Sequence, residues 1–248
     1  MSKQKKVLIA GESWFIHMIH VKGFDTFTTS KYEEGVAPLK NAISESGYEV
    51  TYLPNHLVPE QFPTTVEQLS QYACVIFSDI GSNTLLLPDP VFVHGEKMPN
   101  RCEVVRDYVA AGGAFMMIGG YMAFSGIDAK SRYGQTAIAD ILPVACLDID
   151  DRVEAPQGVT PKIVGENELD LPTAWPHFLG YNKTKRIDEG RVLMTIGKDD
   201  PFIAIREYDK GKTAVFTSDC APHWGSPEFV SWSEYQRIWS SLLNYLCK

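Results

Sequence analysis

Lys6-Val-Leu-Ile-Ala-Gly11 is a short apolar run closed by glycine, the pattern of a strand buried on both faces of a parallel sheet. Cys74-Val-Ile-Phe-Ser78 and Ala114-Phe-Met-Met-Ile118 are further buried runs, the first followed by Asp79 and the second broken by Gly119-Gly120, and Tyr48-Glu-Val-Thr-Tyr-Leu53 alternates toward a further strand that Pro54 closes. Between these runs the spacing becomes helical. Val36, Leu39 and Ile43 share one face ahead of Gly47, and Thr65 to Tyr72 fits a short helix. Asn100, three residues before Glu103, is the N-cap of a helix that runs to Ala111 and stops at Gly112-Gly113. Strands separated by helix-sized segments imply crossover connections, hence a mainly parallel sheet with helices on both faces. Glu12 to Gly35 reads as a long polar loop. Residues 85 to 100, with Pro88, Pro90 and Pro99, read as an excursion, because proline denies both helix interior and central strand.

Beyond residue 143 the texture changes. Val144 to Ile149, Val159 to Val164, Arg191 to Ile196, Phe202 to Tyr208 and Lys212 to Thr217 are strand-like, and Lys210-Gly211 marks a turn, so the last three predict an antiparallel meander. Ser233 to Leu246 predicts a closing helix with Ile238, Trp239, Leu242, Leu243 and Leu246 at helical spacing. No linker, low-complexity tract or internal repeat interrupts the chain. The expectation is one α/β domain over residues 1–248 with a β-rich C-terminal half.

Composition narrows the function classes. The 248 residues are 44% hydrophobic and 22% charged, as in an ordinary globular protein. A net charge of −8 argues against a nucleic-acid partner, since phosphate neutralisation needs a surplus of Lys and Arg on one face. No window approaches the roughly 18 uninterrupted apolar residues of a membrane helix. The four apolar residues after MSKQKK are too few for a signal peptide. Cys74, Cys102, Cys146, Cys220 and Cys247 are odd in number and scattered without CxxC spacing, so they predict neither a disulfide framework nor a structural zinc site. Reduced thiols in a cytoplasmic protein, without metal or cofactor, are expected.

Ligands of open parallel sheets bind at the carboxyl ends of the strands, which directs attention to Gly11–Trp14, Asp79–Thr84 (with Gly81) and Gly119–Gly126. Gly119-Gly120-Tyr121 is a sharp break where an elbow would present a nucleophile beside backbone N–H groups; a plain turn explains the glycines equally. In Thr217 to Trp224, His223 is a candidate general base and Asp219 its orienting partner. Cys220 is either a thiolate nucleophile, which needs a nearby cation or base, or a buried small hydrophobe. His17 and His20 could share a helical face, Arg132 and Tyr133 could reach back over a pocket, and His94 and His177 carry weaker signals.

The ordered set Val7 to Gly11, Val75 to Ser82, Gly112 to Tyr121 and Ala214 to Trp224 resembles the class I glutamine amidotransferase-like superfamily. Asp79-Ile-Gly, Arg106 to Gly113, Gly119 to Gly126, Ile141-Leu-Pro-Val144 and Thr217 to Trp224 are similar, more narrowly, to its uncharacterised "putative glutamine amidotransferase" branch. The resemblance implies a flavodoxin-like three-layer α/β/α sandwich. Active members place a cysteine on the elbow, a histidine after a late strand and a glutamate two residues beyond it. Here the elbow offers no cysteine, His223 matches the histidine, and Gly225 stands where the glutamate would be, with Glu228 the nearest acid. The resemblance therefore implies the fold without the glutaminase. Three functions stay open: binding of a small-molecule ligand in the remnant pocket, hydrolysis by His223 with Asp79, Asp219 or Glu228, and an assembly module, including a homo-oligomer.

Overall fold

The computed structural model describes residues 4–248. Strand β1 (Lys6–Gly11) is buried almost throughout. After it comes a two-stranded arm rather than the expected loop: β2 (Ser13–Lys22) and β3 (Asp25–Glu34) pair antiparallel from Ser13↔Glu34 to Lys22↔Asp25, with Gly23 at positive φ in the turn. Neither strand alternates cleanly between apolar and polar, because both faces of the arm meet solvent; Phe15, Ile19, Val21 and Phe24 are all exposed. His17 and His20 consequently share no helical face. His17 Nδ1 lies 2.7 Å from Ser30 Oγ and His20 Nε2 3.0 Å from Thr29 Oγ1.

Helix α1 (Ala37–Glu45) and β4 (Glu49–Leu53) follow as expected. The next helical segments are single turns, α2 (Val58–Gln61) and α3 (Val66–Leu69), the latter shorter than its expected span and capped by the Thr65 side chain. After β5 (Cys74–Ser78), the proline-rich excursion contains two one-turn helices, α4 (Ser82–Leu86) and α5 (Asp89–Phe92); Pro90 occupies the first turn of α5, where its missing N–H has no partner to lose. Helix α6 (Arg101–Ala110) is capped by Asn100, whose side chain accepts from the N–H groups of Cys102 and Glu103. Strand β6 (Ala114–Ile118) leads into the glycine elbow.

The C-terminal half is strand-rich, with corrections in detail. Val144 to Ile149 shrinks to β7 (Val144–Ala145), and Val159 to Val164 divides between the end of β8 (Arg152–Val159) and β9 (Lys162–Ile163). Strand β8 pairs with β10 (Phe178–Asn182), neither of which the sequence pattern predicts in full, and β7 pairs with β11 (Lys185–Arg186). The meander is present as β12 (Arg191–Ile196), β13 (Asp200–Tyr208) and β14 (Gly211–Phe216). Two helices close the chain, α7 (Pro227–Val230) and α8 (Tyr235–Leu246).

The main sheet runs β4-β1-β5-β6-β14-β13-β12-β9. Its first five strands are parallel and follow the doubly wound order of flavodoxin-like folds, and the meander extends it antiparallel. Because side chains alternate across a strand, Val7 and Ile9 face one core layer with α1 and α8, whereas Leu8 and Ala10 face the other with α2, α3 and α6. That is a three-layer α/β/α sandwich, and it gathers the strand ends at one edge.

Candidate functional site

Three acidic residues stand just past the carboxyl ends of parallel strands: Glu12 after β1, Asp79 after β5 and Asp219 after β14. Glu12 (φ +52°) and Asp79 (φ +44°) both hold left-handed backbone without being glycine, a strained conformation that clusters at functional sites. The chains are crowded here. A Cβ at Gly11 would fall 1.9 Å from the Ser78 carbonyl, so only glycine lets β1 turn into Glu12. Glu12 and Asp219 are fully buried, and Asp79 is partly buried. The Ser78 hydroxyl donates to Glu12 Oε2 at 2.5 Å, and Cys220 Sγ lies 3.6 Å from the same oxygen.

These groups depress one another's ionisation. Burial pushes the Glu12 carboxyl well above the usual carboxylate range, and Asp219 and Asp79 add like-charge repulsion. Asp219 is raised in the same way by burial and Asp79. The Cys220 thiol is pushed up by burial first and by the Glu12 and Asp219 charges second, the opposite of an activated nucleophile.

The elbow is tied down by neighbours. Gly120 has φ +144°, and a Cβ there would lie 2.7 Å from Asp79 Oδ1; a Cβ at Gly119 would lie 2.6 Å from the Thr217 carbonyl. The Gly120 N–H donates to Asn182 Oδ1 at 3.0 Å, and the Met122 N–H donates to Asp79 Oδ1 at 2.6 Å. Asn182 donates in turn to the Gly120 carbonyl and to Asp151 Oδ1.

His223 stands half exposed above this floor. Its ring lies 5.1 Å from Trp14 and 5.9 Å from Tyr121, the latter nearly parallel, and its Nδ1 is 3.7 Å from Asp219 Oδ2. Glu154 fixes the aromatic wall, accepting from the Tyr121 hydroxyl at 3.1 Å and from Trp224 Nε1 at 3.0 Å, and the Arg152 guanidinium sits over the Tyr121 ring. Beside His223 opens a cavity of about 620 Å³, between the root of the arm (Trp14, Glu33, Glu34) and the segment after β14 (Pro222, His223, Gly225).

His223, Asp79, Asp219, Cys220, Gly119, Gly120 and Tyr121 are therefore brought together, with Gly81 beside them beginning α4. Two candidates lie apart. Arg132 is exposed in left-handed backbone and donates to Gln135 Oε1, while its neighbour Tyr133 is buried and donates to the Ile80 carbonyl. Glu228 is exposed in the first turn of α7 and forms no ion pair or hydrogen bond with His223. His94 and His177 are exposed outside the site. The sequence directed attention to the loop Gly11–Trp14 but singled out neither Glu12 nor Trp14 within it, which the structure places beside Cys220 and His223 respectively; their one signal was position, directly after the glycine that closes β1.

Two solved structures are similar over nearly the whole chain. Cytoplasmic Protein STM3548 from Salmonella typhimurium is 45% identical with a TM-score of 0.93, covering 97% of this chain and 98% of its own. Cytoplasmic Protein STM1381 from Salmonella typhimurium LT2 is 46% identical with a TM-score of 0.94, covering 98% of this chain and 100% of its own. A "Putative thua-like protein" from Parabacteroides merdae shares the fold at 11% identity and a TM-score of 0.56, covering 99% of this chain and 91% of its own. Among curated proteins, none matches. Residues 6–248 match the family described as "Putative glutamine amidotransferase", and the chain belongs to that family.

Proposed function

We infer that this protein binds a small molecule in the cleft at His223 and has no glutaminase activity. The observation that carries the reading is the elbow. A nucleophile there would need a Cβ where Asp79 stands, and the Met122 N–H, which could serve an oxyanion, is already engaged by the Asp79 carboxylate. Cys220, the thiol nearest His223 in sequence, is buried and held protonated, so it offers no substitute.

What remains is a recognition surface. Trp14 and Tyr121 flank an imidazole, and the cavity lining carries Glu33 and Glu34 but no Lys or Arg. Such a wall favours neutral or cationic ligands that present hydroxyl or amino groups to carboxylates and an apolar face to an aromatic ring. A cytoplasmic location is part of the proposal, as the two Salmonella proteins are named cytoplasmic.

A panel of sugars, amines and amino acids, screened by thermal shift and Trp fluorescence, tests this. At least one compound is expected to raise the melting temperature, and His223→Ala is expected to weaken it tenfold or more while leaving the unliganded melting temperature unchanged, because the ring is half exposed. A panel without a single His223-dependent ligand contradicts the reading. A second reading, acid–base hydrolysis, draws on the 3.7 Å approach of Asp219 to His223, which could orient the imidazole toward a water. It requires turnover of a panel compound that disappears in His223→Ala.

A further inference from the structure

Glu12 and Asp219 are buried without a Lys or Arg partner. Among the described residues neither forms an ion pair with Lys or Arg; the one cationic side chain near them is His223, when protonated. Carboxylates removed from water are ordinarily neutralised, paired or bound to a metal. Here the geometry favours the last. Ligand atoms of Glu12, Asp219 and Cys220 all lie within 4.8 Å of one another. An oxygen and a sulfur sharing a tetrahedral cation at usual bond lengths stand about 3.6 Å apart. Glu12 Oε2 and Cys220 Sγ are separated by 3.6 Å.

A second, independent observation points the same way. Glu12 Oε1 is fully buried and has no hydrogen-bond partner among the described residues. A Cβ on Gly35 would stand 2.5 Å from this oxygen and 3.1 Å from Ala221 Cβ, so Oε1 lies beside Gly35 and near Ala221, the residue that follows Cys220. Gly35 also lines the cleft. The Glu12 carboxylate thus has one oxygen, Oε2, beside the Cys220 thiol and the other, Oε1, buried without a partner.

We propose that Glu12, Asp219 and Cys220 form a binding site for a zinc-class divalent cation, with the fourth coordination position open toward the cleft at His223. Three protein ligands and one open position are the arrangement of zinc sites that act on a bound molecule rather than merely staple a fold. The thiolate selects zinc or cobalt over magnesium and calcium, which prefer oxygen ligands alone. On binding, the Cys220 S–H bond breaks, an S–metal bond forms and the proton leaves to solvent, as do any protons on Glu12 and Asp219. The dication then offsets carboxylate charge that no Lys or Arg answers. The site is independent of the ligand reading above, since the metal has its own signal.

The test uses the full chain, reduced and treated with a chelator, then titrated with cobalt(II) alone under anaerobic conditions. A saturable one-to-one near-ultraviolet charge-transfer band from a sulfur–cobalt bond is expected, bleached by an equivalent of zinc(II). Cys220→Ser should abolish the band, Glu12→Gln should weaken cobalt binding at least tenfold, and Cys102→Ser, which alters a buried thiol elsewhere, should leave it unchanged. The wild-type protein should also melt higher with zinc than with chelator, which needs no variant to fold. Absence of both the band and the zinc-dependent shift in wild type, or a band that survives Cys220→Ser, overturns the proposal.

Discussion

Gly120 sits where the elbow turns against Asp79. Its φ of +144° is costly for any side chain, and the space a Cβ would take is filled by Asp79, whose own carboxylate caps the Met122 N–H. Gly120→Ala is expected to cost about 3 kcal/mol in urea unfolding, from strain and displacement of Asp79 together. Gly23→Ala, also at positive φ but with open space around its Cβ, is expected to cost only about 1 kcal/mol. Equal costs at the two positions would mean that Asp79 does not close the elbow. At this scale the sequence was partly legible. Asp79, Asp219, Cys220 and His223 stood out as polar residues just beyond apolar strands, whereas Glu12 lay within the candidate loop Gly11–Trp14 without being singled out, because nothing local records that its side chain is buried. Arg132 misleads for the converse reason: its left-handed backbone lets its guanidinium pair with Gln135 at the surface.

Among the elements, the arm of β2 and β3 departs most from expectation. Periodicity reveals a strand when one face is buried and the other wet, and this hairpin buries neither for most of its length, so Trp14-Phe15-Ile16 and Thr28-Thr29-Ser30 carry no alternation. The buried elements were legible for the opposite reason: α6 announced itself by its Asn100 cap, and α8 by a stripe that covers the sheet. The arm's exposure has a measurable consequence. Ile19→Ser with Phe24→Ser should shift unfolding free energy by no more than about 0.5 kcal/mol, whereas Leu242→Ala, which opens a cavity beneath α8, should cost about 3 kcal/mol. A large loss from the arm substitutions, measured by the same denaturant titration, would show that the arm packs against something in solution.

Across the whole molecule, the doubly wound sheet explains why a site is present at all. Its parallel strands deliver Glu12, Asp79, the elbow and Asp219 to one edge, and the arm and the segment after β14 raise Trp14 and His223 around them. That edge was legible because short buried apolar runs separated by helix-sized segments reveal parallel strands. The pairing of β8 with β10 was not, since a strand in a small two-stranded ribbon leaves little pattern in the chain. The chain has the family's α/β/α fold, and the proposal is that Asp79, which a Cβ at Gly120 would meet, closes the elbow to a nucleophile. Reaction with an electrophilic glutamine analogue, followed by intact mass and peptide mapping, tests that claim most directly. The account predicts no adduct on any of the five cysteines under conditions that label a working glutaminase within minutes, and rapid stoichiometric labelling of Cys220 would contradict it.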